Sequence, residues 1–504
     1  KELAPGEKQE LTLTFSLTDM ASYDEEKSAY VLEQGDYLVR MGSCSDNTEV
    51  CGVVRLDQDV VAYQVKPICP GWDFEDLKPD AAVRNDERAV AAGCDAVSDV
   101  KVITIHGTDV KTLSASYRGE PKELAAGEAV SWQEVKAGTK SVDEFLAGLS
   151  VEQTAALCVG NYSEGDIQSV IGNACAKVAG GAGETTRHLD SLGLDTLSMA
   201  DGPAGLRLSK EYKLVGGAAK SSDSALDGVF RDLMDEEQMK MMAAMMPQPS
   251  EEELKATVYH QYCIAIPIGT GLAQSFNTEL CEVCGDIVGE EMEMFGVNLW
   301  LAPALNIQRS PLCGRNFEYY SEDPLISGKI AAAITRGVQR HKGCGTTIKH
   351  YAANNQETNR YASNSILSER ALREIYLKGF EICVKESAPE AVMTSYNLIN
   401  GEHTCNSYDL LTSVLRDEWG YEGVVMTDWY VTSDMMRGQA SVHPFGSAAG
   451  CVKAGNHLSM AGMKSDVEDI LKALEDESHP YHLTKAQLQD TARVVLKSVL
   501  RLAV

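Results

Sequence analysis

The sequence predicts an α/β fold, a (β/α) TIM-like barrel preceded by part of an all-β sandwich. Three observations carry this prediction. The β-branched run Val424, Val425, Met426 ends in Thr427, Asp428 and Trp429. Such a run reads as a buried strand of a parallel sheet, and a carboxylate at its C-terminal tip sits where barrels of this kind keep their chemistry. The pattern recurs upstream: residues 197–200 end in Asp201, residues 346–348 in Lys349, His350 and Tyr351, residues 391–394 in Ser395, Tyr396 and Asn397, and residues 297–301 in Ala302 and Pro303. Amphipathic stretches of helical length, such as 368–387 and 410–418, lie between these runs. Strands alternating with helices and carrying ionisable tips imply one composite site.

The chain has 504 residues, enough for two or three domains. Residues 1–62 form the first region, where Glu10–Phe15 alternates with period two, Asp36–Gly42 follows a glycine turn, and Val50–Leu56 supplies a further strand. Three or four strands do not close a sandwich, so the expectation is that this region begins inside a domain. Residues 63–138 mix Pro, Gly and charge without sustained period and read as a linker. Residues 139–504 form the barrel region. It opens on two capping-box patterns, Ser141 with Glu144 and Ser150 with Gln153. An insertion at 209–258 carries Met239, Met241, Met242, Met245 and Met246, a composition of core or interface filler or of a lid. The run Gly180, Gly181, Ala182, Gly183 lacks the Gly-Lys-Ser/Thr ending of a phosphate loop.

Composition excludes several function classes. A net charge of −29 repels nucleic acid phosphates and anionic membrane surfaces. No apolar run is long enough to span a bilayer. The 14 cysteines are scattered without metal-ligand spacing. Cys281 and Cys284 read as packing residues rather than zinc ligands, and Cys44 and Cys51 flank a hairpin where a disulfide is conceivable. Many unpaired thiols suggest a reducing, cytoplasmic location. No metal and no cofactor is implied, and a homo-oligomer is compatible with the composition.

Five blocks together resemble glycoside hydrolase family three, and specifically its β-glucosidases: Met199–Pro203, Gly314–Tyr319, Lys349–Glu357, Met393–Asn397 and Met426–Trp429. They stand in the family's order across most of residues 140–460. The first segment, through Gly35, Asp36 and Tyr37, resembles the family's fibronectin type III-like domain. That domain commonly comes last in the family. Its position before the barrel resembles the subgroup with swapped halves, in which an α/β sandwich domain comes first. The resemblance therefore implies a fragment without that sandwich.

It also implies roles. Asp428 would be the nucleophile of a retaining mechanism, in which a second carboxyl group about 5–5.5 Å away acts as acid and then base. Neighbouring cations such as Lys349 and Arg315 are expected to lower its pKa and keep it ionised. Asp201, Arg315, Lys349 and His350 would bind the hydroxyls of the terminal sugar through charge-assisted hydrogen bonds. Tyr396 would orient Asp428, Trp429 would stack on the sugar, and Met393 would line the pocket. Local readings compete: Arg315 pairing with Glu318, His350 as a core histidine, and Trp429 as core packing. Glu357 and Asn355 read as supports. The acid/base has no assigned residue, because in the family it comes from the sandwich domain, and Glu318 and Glu322 sit in blocks that look structural. His457 stands where the family often carries Asp.

The resulting expectation is a retaining exo-acting β-glucosidase acting on β-linked oligosaccharides or glycosides without metal or cofactor. A β-xylosidase of the same family is the nearest rival, with a β-N-acetylhexosaminidase further off. Different in kind are a glycan-binding barrel without efficient turnover, and a lyase or aldolase barrel using Lys349 as a Schiff base.

Overall fold

A computed structural model of the chain describes residues 3–44, 47–69, 100–162, 175–222, 235–237, 250–433, 443 and 445–503. The chain divides into two units, residues 1–116 with 368–370, and residues 117–367 with 371–504.

The first unit is built of strands β1 (Ser22–Asp24), β2 (Ala29–Leu32), β3 (Gly35–Cys44), β4 (Asn47–Leu56), β5 (Val60–Gln64), β6 (Lys101–Ile105) and β7 (Leu113–Ser114). They form one sheet in the order β1-β2-β5-β7 and a second in the order β3-β4-β6. Leu32, Leu56, Val60 and Ala62 bury together between strands of both sheets. The long hairpin β3–β4 pairs Cys44 with Asn47, so Cys44 and Cys51 are not opposite each other. Both are free, and the Cys51 thiol donates to the Val39 carbonyl at 3.3 Å.

Two expectations change here. Glu10–Phe15 forms no strand, and Leu11 and Leu13 are 73% and 85% exposed. Alternation supplies a face, but a strand also needs a ladder partner. Residues 63–138 are more than a linker. Within them, β6 pairs with β4 in parallel, β7 with β5, and Trp132–Lys136 is helical. The run Val102–Ile105 is short and flanked by charge, which hid its strand character.

The second unit carries β8 (Gly183–Glu184), β9 (Ser198–Ala200), β10 (Glu211–Val215), β11 (Ala218–Ser221), β12 (Val258–His260), β13 (Leu299–Trp300), β14 (Gly345–Tyr351), β15 (Asn364–Ser365), β16 (Ala391–Thr394), β17 (Leu398–Ile399), β18 (Glu402–His403) and β19 (Val424–Met426). The main sheet has the order β19-β16-β14-β13-β9-β8. Its neighbours are parallel except for β8, which runs antiparallel to β9, a departure from the all-parallel expectation. The sheet curls. Leu458 bridges to Met426, Ser459 bridges to Val159, and the Asn161 N–H donates to the Glu184 carbonyl at 2.8 Å. The insertion forms a small sheet, β11-β10-β12, and β15-β17-β18 form another. Met239, Met241, Met242, Met245 and Met246 lie outside the described residues.

Apolar side chains of β9, β13, β16 and β19 meet helices Val151–Leu157, Ala448–Ala454 and Lys485–Leu502 in one large core. Both predicted capping boxes form: Ser141 and Ser150 accept from the amides of Glu144 and Gln153, whose side chains bond back. Helices Thr278–Phe295 and Pro324–Val338 press together at glycines. A Cβ on Gly285 would lie 2.2 Å from the Ile334 carbonyl oxygen. Cys281 and Cys284 are buried on the first of these helices. Among the described residues, no helix is long and apolar enough to cross a membrane.

One buried ion pair ties the helical layer together. Arg373 donates to Glu418 at 2.7 and 3.2 Å, both side chains are 1% exposed, and the Tyr117 hydroxyl also donates to Glu418 at 2.9 Å. Removing one partner of such a pair strands the other charge. Arg373→Met is therefore expected to lower the unfolding free energy by about 3–5 kcal/mol in urea titration. Adding Glu418→Gln should recover part of that loss. A cost no larger than that of an exposed pair would contradict this.

Candidate active site

The site is assembled at the C-terminal ends of four strands of the curled sheet. After β9 the chain turns sharply at Gly202, whose φ is +119° and where a Cβ would lie 2.1 Å from the Gly205 carbonyl oxygen. This turn carries Arg207 back onto Asp201. The Arg207 amide donates to the Asp201 carbonyl at 2.8 Å, and its guanidinium to Oδ2 at 2.9 Å. From β14, Lys349 Nζ donates to Asp201 Oδ1 at 2.8 Å. Burial pushes the Asp201 carboxyl up, but Lys349 and then Arg207 outweigh it and hold it well below the usual carboxylate range.

The tip of β19 places Asp428 beside His350 and Tyr396. Asp428 Oδ1 accepts the Trp429 amide at 2.8 Å, Oδ2 lies 3.7 Å from His350 Nε2, and the Tyr396 hydroxyl is hydrogen-bonded to the carboxylate. Asn306 fixes the backbone under this group. It accepts from the His350 N–H at 2.9 Å and donates to the His350 carbonyl at 2.8 Å. Burial, reinforced by Arg315, Lys349 and Arg360, pushes the His350 imidazole well below its ordinary pKa. His350 is therefore neutral and meets Asp428 as a dipole rather than an ion.

Two arginines supply the positive charge. Arg315 is bonded to Glu318 and acts electrostatically on Asp428. Arg360 donates to Glu357 at 3.2 Å and to the Tyr361 hydroxyl at 2.8 Å, and lies 4.8 and 4.9 Å from the ring centres of Tyr361 and Tyr396. Burial pushes the Asp428 carboxyl upward, against Arg315, the Trp429 amide, Arg360 and Lys349. The net direction is up. This corrects the expectation of a lowered pKa: the cations have the anticipated sign, but desolvation of an almost enclosed carboxylate is larger.

Of the residues singled out in the sequence, Asp201 and Lys349 are bonded to each other and Asp428 is bonded to Tyr396, with His350 3.7 Å from Asp428 and Arg315 acting on it electrostatically. Met393 and Trp429 are placed differently. Both belong to the large apolar core, Met393 opposite Met426 in register, and the Trp429 indole N–H donates to the Ala182 carbonyl at 3.0 Å. His457 is not at this end of the sheet. It packs against Arg416, which bonds the Gly423 carbonyl just before β19 begins. Sequence reading missed Arg360, Arg207 and Asn306. Arg360 stands three residues after the block ending at Glu357, and Arg207 follows the Gly202-Pro203 turn, so each had a local signal. Asn306 had none.

Residues 232–498 match the glycosyl hydrolase family 3 N terminal domain, and residues 1–45 match a fibronectin type III-like domain. Beta-glucosidase A of Butyrivibrio fibrisolvens is 32% identical over 502 residues, covering 94% of this chain and 50% of the relative. A β-glucosidase structure from Paenibacillus barengoltzii superposes with a TM-score of 0.69 at 30% identity, over 96% of this chain and 47% of that one. β-Glucosidase 3B from Thermotoga neapolitana, solved in complex with α-D-glucose, gives 0.55 at 37% identity over 72% and 43%. The chain thus spans about half the length of the curated relatives it matches. The matched segment includes Arg315, Lys349, Tyr396 and Asp428, and the chain belongs to glycosyl hydrolase family 3.

Proposed function

We propose that this chain carries the nucleophile and sugar-binding half of a retaining, exo-acting β-glucosidase, which hydrolyses terminal non-reducing β-D-glucosyl residues. In this reading the curled sheet is a TIM-like barrel with one reversed strand. The fibronectin-like segment precedes it, as in the swapped-order subgroup. One observation carries the reading: Asp428 is almost enclosed among Tyr396, neutral His350, Arg315 and Arg360, beside the Asp201–Lys349 pair.

Asp428 attacks the anomeric carbon as the bond to the leaving oxygen breaks, forming a glycosyl ester that water then hydrolyses. Tyr396 aims the carboxylate. Arg315 and Arg360 offset its charge without bonding it rigidly, so it remains available to the sugar. Asp201 and Lys349 offer an acceptor and a donor to adjacent hydroxyls, and a site built this way rejects sugars lacking them. The pairing of Lys349 with Asp201 disfavours the Schiff-base alternative, which needs a free amine.

A general acid needs a carboxyl group kept protonated. Asp201, Glu318 and Glu357 are each bonded to a cation. None of these three fits that role, and the resemblance to the family leads us to assign the acid/base to the α/β sandwich domain, consistent with this chain spanning about half the length of its relatives. Met393 is proposed to line the pocket, and Trp429 to back it rather than to stack on sugar. The relatives named above favour glucosides over xylosides.

Asp428→Asn is expected to abolish hydrolysis of 2,4-dinitrophenyl β-glucoside, because an amide forms no ester intermediate. The folded state holds this carboxyl above its unfolded pKa, so its charge costs stability at neutral pH. The variant's Tm should therefore be equal to or above wild type. Near-wild-type turnover would sink the assignment.

With the same substrate, whose leaving group needs no acid, the acid limb of kcat/KM should report Asp428 alone. Activity should fall as pH drops through a value above the usual aspartate pKa of about 3.9. A limb at or below that value would contradict the burial argument.

A positioned acid is worth about 10²–10⁴-fold, and sugar leaving groups depend on it most. Cellobiose turnover by the 504-residue chain should trail an upstream-extended chain by that order, while rates on the dinitrophenyl glycoside stay closer. Equal cellobiose rates would place the acid within these residues, with Glu318 and Glu322 the first to mutate.

A further inference from the structure

The opposite end of the main sheet holds a second concentration of charge. Arg416 is 8% exposed, and among the described residues no acid is bonded to it. It donates to the Tyr421 carbonyl at 3.3 Å and the Gly423 carbonyl at 2.8 Å, while its Nε–H is buried with no partner among the described residues. Its remaining hydrogen-bond contact is His457, 3% exposed, with one Arg416 Nη lying 2.8 Å from Nε2 and 3.3 Å from Nδ1.

A neutral imidazole offers that guanidinium no counter-charge. His457 Nδ1 accepts the Val425 backbone N–H at 2.8 Å. A neutral imidazole has one N–H, so the proton must sit on Nε2. The same Arg416 Nη lies 3.3 Å from Nδ1, the ring's one acceptor, which already takes the Val425 amide, so Nε2–H is left as a donor beside the guanidinium and nothing in the ring offsets the cation's charge. A buried donor without an acceptor is costly, and a buried charge without a counter-ion more so.

Both side chains line a cavity of about 150 Å³, together with Arg118, Lys453, Arg493 and Lys497. Two carboxylates, Glu120 and Asp490, also line it. Glu120 accepts from the neutral Gln487 amide at 3.2 Å, Asp490 is paired with Arg493 at 2.5 Å, and neither is bonded to Arg416. Asp417, the other acid near Arg416, is bonded to Arg118. Burial, with Arg118 adding to it, pushes the Arg416 guanidinium down to about 10, against Tyr421, Asp490 and Asp417.

We propose that this cavity binds a small oxyanion, a carboxylate or phosphate group, which accepts from Arg416 and from His457 Nε2–H. The guanidinium fork suits two oxygens of one such group. The site depends on His457: an aspartate there would bring its own carboxylate to Arg416 and leave the cavity without its unmet donors. The anion would act as a structural ligand at the end of the sheet away from Asp428, separate from turnover.

The test is thermal unfolding of the 504-residue chain and of His457→Asp, with inorganic phosphate or malonate replacing chloride at constant ionic strength. For wild type, Tm should rise and saturate, by about 5 °C at 100 times Kd. His457→Asp should melt higher than wild type in chloride and lose the saturable response. Phosphate and malonate responding unequally would identify which oxyanion the site prefers. An equal, unsaturating rise in both proteins would be the general salt effect on burial and would overturn the proposal. Calorimetric titration of folded wild type needs no variant. One site per chain for either anion supports the proposal, and no binding of both at millimolar concentration refutes it.

Discussion

The site depends on one constraint: carboxylates placed at buried strand tips must be compensated by groups the fold brings to them. Asp201 and Asp428 meet it in opposite ways. Asp201 is bonded directly to Lys349 and Arg207, and its charge is secured. Asp428 receives a backbone amide and a tyrosine hydroxyl, while its cations act without bonding it. Its negative charge is held less firmly, and burial prevails. In the proposed function this suits Asp428 to share electrons with a substrate and Asp201 to hold a hydroxyl.

Geometry follows from register. The parallel pairing of Val392 with Val425 and of Thr347 with Ala391 sets the tips of β14, β16 and β19 side by side. Lys349, Tyr396 and Asp428 then converge because side chains near the ends of adjacent parallel strands share one rim. Behind them the tightly packed helices and the Arg373–Glu418 pair leave the strands little freedom to slide.

Much of this was legible in the sequence because it rests on local pattern. Apolar runs broken by a polar tip located β9, β14, β16 and β19, and the Ser-x-x-Glu/Gln spacing located two helix starts. What was not legible rests on distance along the chain. The Asn306 side chain supports His350 from 44 positions away, and nothing in its neighbourhood marks it. The reversed strand β8 and the strand pairing of Lys101–Ile105 depend on partners that periodicity does not name. The sign of the Asp428 shift is not legible for a related reason: motifs name the charged neighbours but not the depth of burial.

The central claim is that Asp428 carries the sugar. The direct measurement is peptide mapping by mass spectrometry after incubation with an activated 2-deoxy-2-fluoro-β-glucoside, which forms the ester quickly and releases it slowly. The account predicts one glycosyl adduct, on the peptide containing Asp428. An adduct on a different carboxylate, or none despite turnover of aryl glucosides, would contradict it.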